Sequence, residues 1–258
     1  MVQTSVIGCG NMGSALITGL HRSGNHTVTA CDLDPDALEA VADYVEHTTT
    51  DVSEAAEADV VVVAVKPDIV GAVLDDLELS SEQTLVSIAA GVSTDYVGAR
   101  TDANVVRIMP NLAAETGNMA AAVTGDDVPD DVLELLDDVG EFAEVDERQM
   151  DIATAVNGSG PAFVFYLIQA IKEAGIDGGL AADDAETLAA QTFKGAAETV
   201  LRSDEELDDL IDAVCSPNGT TIEGMEVLWD STAKEDVAAA VNAAEERSGE
   251  LAAEFSDE

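Results

Sequence analysis

Two periodicities divide the chain. Over residues 1–150, short apolar runs alternate with stretches of helical spacing, the pattern of βαβ units around a parallel sheet. Thr4-Ser5-Val6-Ile7-Gly8 predicts a strand, and Leu16, Ile17 and Leu20 predict a helix after it. The segment Thr27 to Cys31 predicts a second strand, with Pro35 in the first turn of the next helix. Asp59 to Val65 is almost continuously aliphatic, as a strand buried on both faces must be. Leu85 to Ala89 and Asn104 to Met109 predict further strands, and Ala120 to Thr124 and Phe142 to Val145 predict extensions of the sheet. From Asp151 onward the spacing is helical throughout: Phe163 to Ala174 behind Pro161, then Ala182 to Leu201, Glu205 to Cys215, Ile222 to Trp229 and Thr232 to Leu251. An α/β domain over 1–150 and an all-α domain over 151–258 are therefore expected, joined in a polar stretch near 147–151. No internal repeat or low-complexity linker interrupts this plan.

Candidate chemistry appears at the first strand-to-helix turn. Gly8-Cys9-Gly10-Asn11-Met12-Gly13 fits the G-x-G-x-x-G spacing of dinucleotide sites. There the first glycine permits a tight turn and the second lets backbone approach a pyrophosphate. The third lets the helix pack closely on the strand, and the helix N-terminus offers free N–H donors. The fold expected of the first domain is a Rossmann-type doubly wound sheet. Asp32 ends the second strand, where an acid binds the adenosine ribose hydroxyls in such folds. Leu33 follows it and no arginine lies nearby to receive a 2′-phosphate, which favours NADH over NADPH. Ala64-Val65-Lys66-Pro67 closes the aliphatic strand, and Lys66 is one of only ten Lys and Arg residues, an apt partner for an anion at a strand end.

Composition narrows the setting. The formal net charge is −43. Residues 1–150 hold 29 acids against 5 bases, and residues 151–258 hold 24 against 5, so the charge is a coat over the whole chain rather than a tail. With only four lysines, this coat points to a high-salt cytoplasm and disfavours nucleic acid and anionic membranes as partners. The longest aliphatic run, Val60 to Val65, is far too short to span a bilayer. Met1-Val2-Gln3-Thr4 has no basic n-region, so no signal peptide is expected. Cys9, Cys31 and Cys215 are isolated, and His21, His26 and His47 have no ligand spacing with them. Neither a disulfide framework nor a structural zinc is expected.

Several motifs occur in order and resemble one family. The glycine turn, Ala64-Val65-Lys66-Pro67, Ala89-Ala90-Gly91-Val92 and Arg107-Ile108-Met109-Pro110-Asn111 resemble the cofactor domain of pyrroline-5-carboxylate reductases. β-Hydroxyacid dehydrogenases and coenzyme F420-dependent NADP reductases share much of that domain. The C-terminal half is more specific. Asn157-Gly158-Ser159-Gly160-Pro161-Ala162-Phe163 is similar to the family's Ser-Gly-Ser-Gly-Pro-Ala-aromatic motif, and Gln191-Thr192 with Gly195-Ala196-Ala197 is similar to its following helix. Ser216-Pro217-Asn218-Gly219-Thr220-Thr221-Ile222-Glu223-Gly224 resembles its Ser-Pro-Gly-Gly-Thr-Thr-Ile-x-Gly signature. Asn157 stands where a small Ser or Gly is usual and Asn218 where Gly is usual; Asn tolerates positive φ, so the loop shape is expected to survive.

The resemblance implies reduction of 1-pyrroline-5-carboxylate to proline with NADPH or NADH. It implies a cofactor site from Gly8, Cys9, Gly10, Asn11, Met12, Asp32, Ala64, Val65, Lys66, Pro67, Ala90, Gly91 and Asn111. It implies a substrate site from Ser216, Asn218, Gly219, Thr220 and Thr221, with Thr221 hydrogen-bonded to the ring nitrogen, and an all-α domain that makes a homodimer or larger homo-oligomer. As chemistry, a Ser-Pro start, a glycine and Thr-Thr opening a helix can cradle a carboxylate with N–H groups and hydroxyls; a plain capped loop between helices has the same composition. Neither a Ser/His/Asp set nor a carboxylate dyad emerges, which suits hydride transfer, where the protein binds and orients. The alternatives are a β-hydroxyacid dehydrogenase and a non-enzymatic NAD-binding module. The former relies on a lysine in the second domain, for which Lys172 and Lys194 are candidates, and neither has a matching context.

The charge predicts how the protein responds to salt. At 0.01 M salt the Debye length is ~30 Å and the surface carboxylates all feel one another; at 1 M it is ~3 Å. Stability should rise steeply with KCl, and KM for an anionic cofactor and substrate should fall. Thermal unfolding followed between about 0.1 and 3 M KCl measures this, and a midpoint flat across that range excludes the high-salt reading.

Overall fold

Four consecutive valines, Val60–Val63, are fully buried, and their alternation fixes the layers. Val60 and Val62 enter one apolar cluster and Val61 and Val63 another, because successive side chains of a strand point to opposite faces. Both faces of the sheet are therefore covered by helices.

The computed structural model describes residues 2–256. They form two compact units: residues up to Ser159 together with those from Val241 on, and Gly160–Ala240. The first unit runs β1 (Gln3–Ile7), α1 (Asn11–Ser23), β2 (Thr27–Cys31), α2 (Pro35–Val41), β3 (His47–Thr49), α3 (Val52–Ala55), β4 (Val60–Val63), α4 (Pro67–Asp75), β5 (Thr84–Ser87), α5 (Thr94–Gly98), β6 (Asn104–Met109), β7 (Met119–Gly125), α6 (Asp130–Asp137), β8 (Gly140–Glu144) and α7 (Met150–Ala153). The strand order is β3-β2-β1-β4-β5-β6-β7-β8. All neighbours are parallel except β6 and β7. This is the doubly wound Rossmann order, with its switch point between β1 and β4, extended by a reversed strand and one more crossover. One face is packed by α1, α2 and α6 through residues such as Leu16, Leu20, Leu38 and Leu135. The other is packed by α3, α4 and α5 through Ala55, Val70, Leu74 and Val97.

The expected strands are present within a residue or two at most ends. The aliphatic run pairs only over β4, because Ala64 and Val65 already turn out of the sheet. The edge strand β3 has no counterpart in the pattern: it is three residues long, polar, and only Thr49 is buried. At the start of the helical region the chain makes a 3₁₀ turn (Glu147–Gln149) closed by an Asp146/Gln149 capping box, then α7, then one π turn over Thr154–Gly158.

The second unit holds α8 (Gly160–Asp177), α9 (Ala182–Arg202), α10 (Leu207–Val214) and α11 (Thr220–Trp229), and the start of α12 (Ala233–Ser256). The α8–α9 contact is close because Gly175 lacks a side chain: a Cβ there would lie 3.3 Å from both Ala185 Cβ and Leu180 Cδ1. Lys172 pairs with Glu186 across the same two helices. Buried side chains are scarce in this unit, with Ala185 and Ala189 its buried apolar residues, while Phe165, Tyr166, Leu201, Val227 and Trp229 stand exposed.

One ion pair ties the far side of the sheet to the 3₁₀ turn. Arg107 in β6 is 4% exposed and its Nη1 meets Glu147 Oε1, while Glu147 Oε2 accepts from Thr94 Oγ1 at 3.2 Å. Among the described residues Arg107 Nε and Nη2 have no partner, so Glu147 is the acid that offsets the buried charge. Removing one member of such a pair costs more than forming it contributed. Glu147→Ala should lower stability by about 2–3 kcal/mol and Tm by about 5–10 °C at constant KCl. An unchanged melting midpoint in that variant would mean that the guanidinium finds other compensation.

Candidate active site

The candidate cofactor site begins at the turn between β1 and α1. Gly8 has φ +100, and a Cβ on it would sit 2.7 Å from Ala64 O and 2.9 Å from Val65 Cγ1. A Cβ on Gly13 would sit 1.9 Å from Gly8 O, so α1 starts directly on the turn. Gly10 differs: a Cβ there meets nothing within 4 Å. Space lies over this backbone, and it is the space a bound group would fill. Gly10 is also the N-cap of α1 and supplies no side-chain cap, so the first-turn amides keep their capacity to donate. No acid lies in that first turn, although every other α-helix except α8 carries one or more. In so acidic a chain this leaves the positive end of the α1 dipole free for an anion. Asn11 is exposed there, and Met12 packs partly into the core beneath.

Asp32 sits beside this turn. Its Oδ2 accepts from Cys9 N at 2.7 Å and its Oδ1 from Asp34 N at 2.9 Å, so the carboxylate joins the end of β2 to the glycine turn. Leu33 is 82% exposed beyond it. Burial, reinforced by the Asp32 charge, pushes the Cys9 thiol up to about 12 and the Cys31 thiol up to about 11. Both remain protonated near neutrality and are no nucleophiles.

The next strand ends line up along the same sheet edge. Ala64 donates its N–H to Ile7 O at 2.8 Å, Val65 packs partly into the core, Lys66 is the exposed N-cap of α4, and Pro67 opens that helix. After β5, Ala90 packs on Met109, Ala122 and Met150. Gly91 has φ +77, and a Cβ on it would lie 3.1 Å from Ala252 N, so its missing side chain admits the end of α12. After β6, Asn111 is 8% exposed; its Oδ1 accepts from Ala113 N and Ala120 N, and its Nδ2 donates to Asn157 O at 3.2 Å. Asn157 was singled out in the sequence only as a departure from a motif, yet its amide also reaches back to β6 and β7. No spacing rule finds such a pair, because the partners are 46 residues apart.

The second unit holds the other loop singled out in the sequence. Ser216, Pro217 and Asn218 are exposed, and Asn218 has φ 59, so Asn does take the left-handed conformation expected of it. Gly219 N donates to Ser216 O at 2.9 Å, and a Cβ on Gly219 would lie 2.4 Å from Ser216 Oγ. The turn thus needs glycine at 219. Gly219 caps α11 without a side-chain bond, and Thr220 and Thr221 in its first turn are exposed. Lys172, one of the two lysines weighed for a dehydrogenase role, is committed to Glu186, which holds its ammonium above the usual range.

Similarity to known proteins extends over both units. A family profile described as pyrroline-5-carboxylate reductase dimerisation matches residues 147–251, and one described as NADP oxidoreductase, coenzyme F420-dependent, matches residues 3–91. A pyrroline-5-carboxylate reductase of Mycobacterium leprae is 38% identical over 97% of this chain and 97% of its own. The structure of a pyrroline-5-carboxylate reductase from Coxiella burnetii superposes with TM-score 0.88 at 31% identity, covering 97% of this chain and 98% of that one. The Plasmodium falciparum pyrroline carboxylate reductase with NADP bound superposes with TM-score 0.83 at 29% identity, covering 97% and 98%.

The glycine turn gives a two-variant test. Gly10→Val should leave the melting midpoint near that of the parent, since its Cβ meets nothing, yet abolish dinucleotide binding. Gly13→Ala should lower both, because its Cβ drives into Gly8 O. Calorimetric titration with NADH and NADPH measures the first effect; unchanged affinity in Gly10→Val removes the turn from the cofactor site.

Proposed function

The chain belongs to the pyrroline-5-carboxylate reductase family, and on that premise we propose how its residues divide the work of reducing 1-pyrroline-5-carboxylate to proline. What carries the reading is that the likeness to the M. leprae reductase runs through 97% of both chains, the Ser216–Thr221 loop included. A nicotinamide dinucleotide, when bound, supplies the hydride that turns the C=N bond into C–N.

The residues of the first unit fit that cofactor. The uncapped, acid-free N-terminus of α1 takes the pyrophosphate over Gly10, with Asn11 and Met12 contributing backbone amides. Asp32 lies on the adenosine side and Lys66, Ala90, Gly91 and Asn111 on the nicotinamide side of the switch point, since β2 and β4–β6 flank it in opposite directions. NADPH is suggested by the relative with NADP bound; NADH is suggested by the Asp32 carboxylate and by Leu33, where no cation waits for a 2′-phosphate. Comparing kcat/KM for the two cofactors decides which one this chain prefers.

The residues of the second unit hold the substrate. Backbone amides of Asn218, Thr220 and Thr221 and the Ser216 hydroxyl bind its carboxylate, as a helix N-terminus preceded by a tight turn does. The Thr221 hydroxyl is hydrogen-bonded to the ring nitrogen while that nitrogen becomes an amine. The exposed apolar residues of α8, α9 and α11 suit a homodimer or larger homo-oligomer of this chain, since patches of that kind mark association surfaces. No helix among the described residues is long and apolar enough to cross a membrane, and a cytoplasmic site of action at high salt is the setting the acidic coat fits.

Thr221→Ala should reduce kcat on the order of 10²-fold, the size of losing one preorganised donor, with little change in cofactor affinity. Thr221→Ser, which keeps the hydroxyl, should recover most of the rate. Turnover near that of the parent in Thr221→Ala would dismiss the assignment.

A further inference from the structure

The last turns of α12 pack on the first unit. Among the described residues Ser248 is the one buried residue of this helix, and Val241, Ala244, Leu251 and Ala252 recur beside it at the three- and four-residue spacing of one half-buried face. Ser248 Oγ donates to Asp151 Oδ1 at 2.7 Å, so α12 is fastened to α7 by a part-buried bond to a carboxylate, the stronger kind. Gly249 lies on the same side: a Cβ on it would stand 3.7 Å from Asp151 Oδ2. Three residues further on, the helix backbone reaches Gly91, where a Cβ would be 3.1 Å from Ala252 N and 3.2 Å from Leu251 C. Ala90, the neighbour of Gly91, packs against the cluster of Met109, Ala122 and Met150, and Met150 precedes Asp151 in α7. Three contacts therefore close a ring around the loop after β5. The Met150 cluster holds Ala90, α12 holds Gly91, and the Ser248–Asp151 bond holds the two helices to each other.

We propose that Ser248 and Asp151 are positioning residues for the cofactor: their hydrogen bond locks α12 behind the loop of residues 89–92 and so fixes the surface on which the nicotinamide half of the dinucleotide lies. The inference rests on the reading of the first unit as a dinucleotide site. With pyrophosphate at α1 and adenosine towards β2, the nicotinamide half falls over the carboxyl ends of β4, β5 and β6. The loop after β5 is then part of its support. Ala89 and Val92 are anchored in the core at either end of that loop, whereas Ala90 and Gly91 between them take their place from α7 and α12. Gly91 is at φ +77, and glycine is the residue with most conformational freedom to lose. A loop already held in the competent shape need not be ordered when the ligand arrives, while one that holds this shape only part of the time weakens the apparent affinity by that fraction. Neither Ser248 nor Asp151 touches the ring; both act through Ala90 and Gly91.

Calorimetric titration of the full chain at molar KCl with NAD+ and with ADP-ribose, which lacks the nicotinamide ring, tests this. Ser248→Ala should bind NAD+ about fivefold more weakly than the parent, the size of one hydrogen bond, and ADP-ribose as tightly as the parent. Asp151→Ala should give the same shift, and the double variant no more than either alone. Asp151→Asn, which keeps an acceptor for the Ser248 hydroxyl, should recover most of the parent's affinity. A Ser248→Ala protein that keeps the parent's ratio of NAD+ to ADP-ribose affinity overturns the proposal whatever its melting midpoint, since a merely structural bond would lower stability alone. The parent offers a second reading that needs no variant. NAD+ should slow amide hydrogen exchange in peptides covering residues 89–92 and 248–252 beyond the level ADP-ribose reaches, and equal protection by the two ligands overturns the proposal as well. A parent that binds neither ligand would instead overturn the dinucleotide site itself, and the proposal with it.

Discussion

The close approach of α1 to the β1 turn governs the first unit. Gly13 must lack a side chain because its Cβ would fall 1.9 Å from Gly8 O, and Gly8 must lack one because it lies against Ala64 and Val65 at φ +100. Those contacts bring the first turn of α1 against the carboxyl ends of β1 and β4, at the switch point of the sheet. Everything placed along that edge takes its position from them. Asp32 is joined to the turn through Cys9 N, Lys66 begins the helix after β4, and Asn111 closes the end of β6. The turn is thus a packing requirement as well as the floor of the proposed cofactor site, and Gly10 separates the two roles, since of the turn's three glycines it alone has open space where a Cβ would stand.

Charge is distributed with the same selectivity. Acids open nearly every helix, where they complement the dipole and coat the surface, yet α1 is spared. An anion approaching a chain of net charge −43 meets general repulsion, to which the first turn of α1 adds no acid of its own. High salt weakens the general repulsion, whose range is a Debye length, more than it weakens direct hydrogen bonds from amides to a phosphate or carboxylate. Recognition by backbone N–H groups is therefore well suited to a highly acidic protein in brine: the donors are neutral, directional and independent of the surface charge.

The parts legible in the sequence are those decided by local rules. The valines of β4 announce a strand buried on both faces, G-x-G-x-x-G announces the turn, and Pro35 opens the helix it was expected to open. The left-handed Asn218 follows from a single residue's backbone preference. Features made by pairs distant in sequence were illegible. β3 is held by its neighbour β2 rather than by any apolar pattern of its own, Arg107 finds Glu147 40 residues away, and Asn157 finds Met109 and Ala120 across two strands. Gly91 shows the opposite case: read as part of a cofactor motif, it also accommodates the end of α12, a packing role that the motif does not express.

The second unit raises a balance of forces that the first does not. Its buried apolar residues are alanines, while large side chains such as Phe165, Tyr166 and Trp229 lie open. At roughly 25 cal/mol per Å² of apolar surface removed from water, covering several of them with a second copy would outweigh most local terms in this unit. Each copy also brings a net charge of −43, so association sets two like fields against that gain. Both terms move the same way with salt: screening shortens the repulsion, and salts excluded from protein surface strengthen apolar burial. The dimer proposed for this chain would then be the species most dependent on salt, more so than the Rossmann unit with its own completed core. If the Ser216–Thr221 loop of the unit left open holds the substrate as proposed, substrate binding and not cofactor binding would be the first function lost when salt is withdrawn.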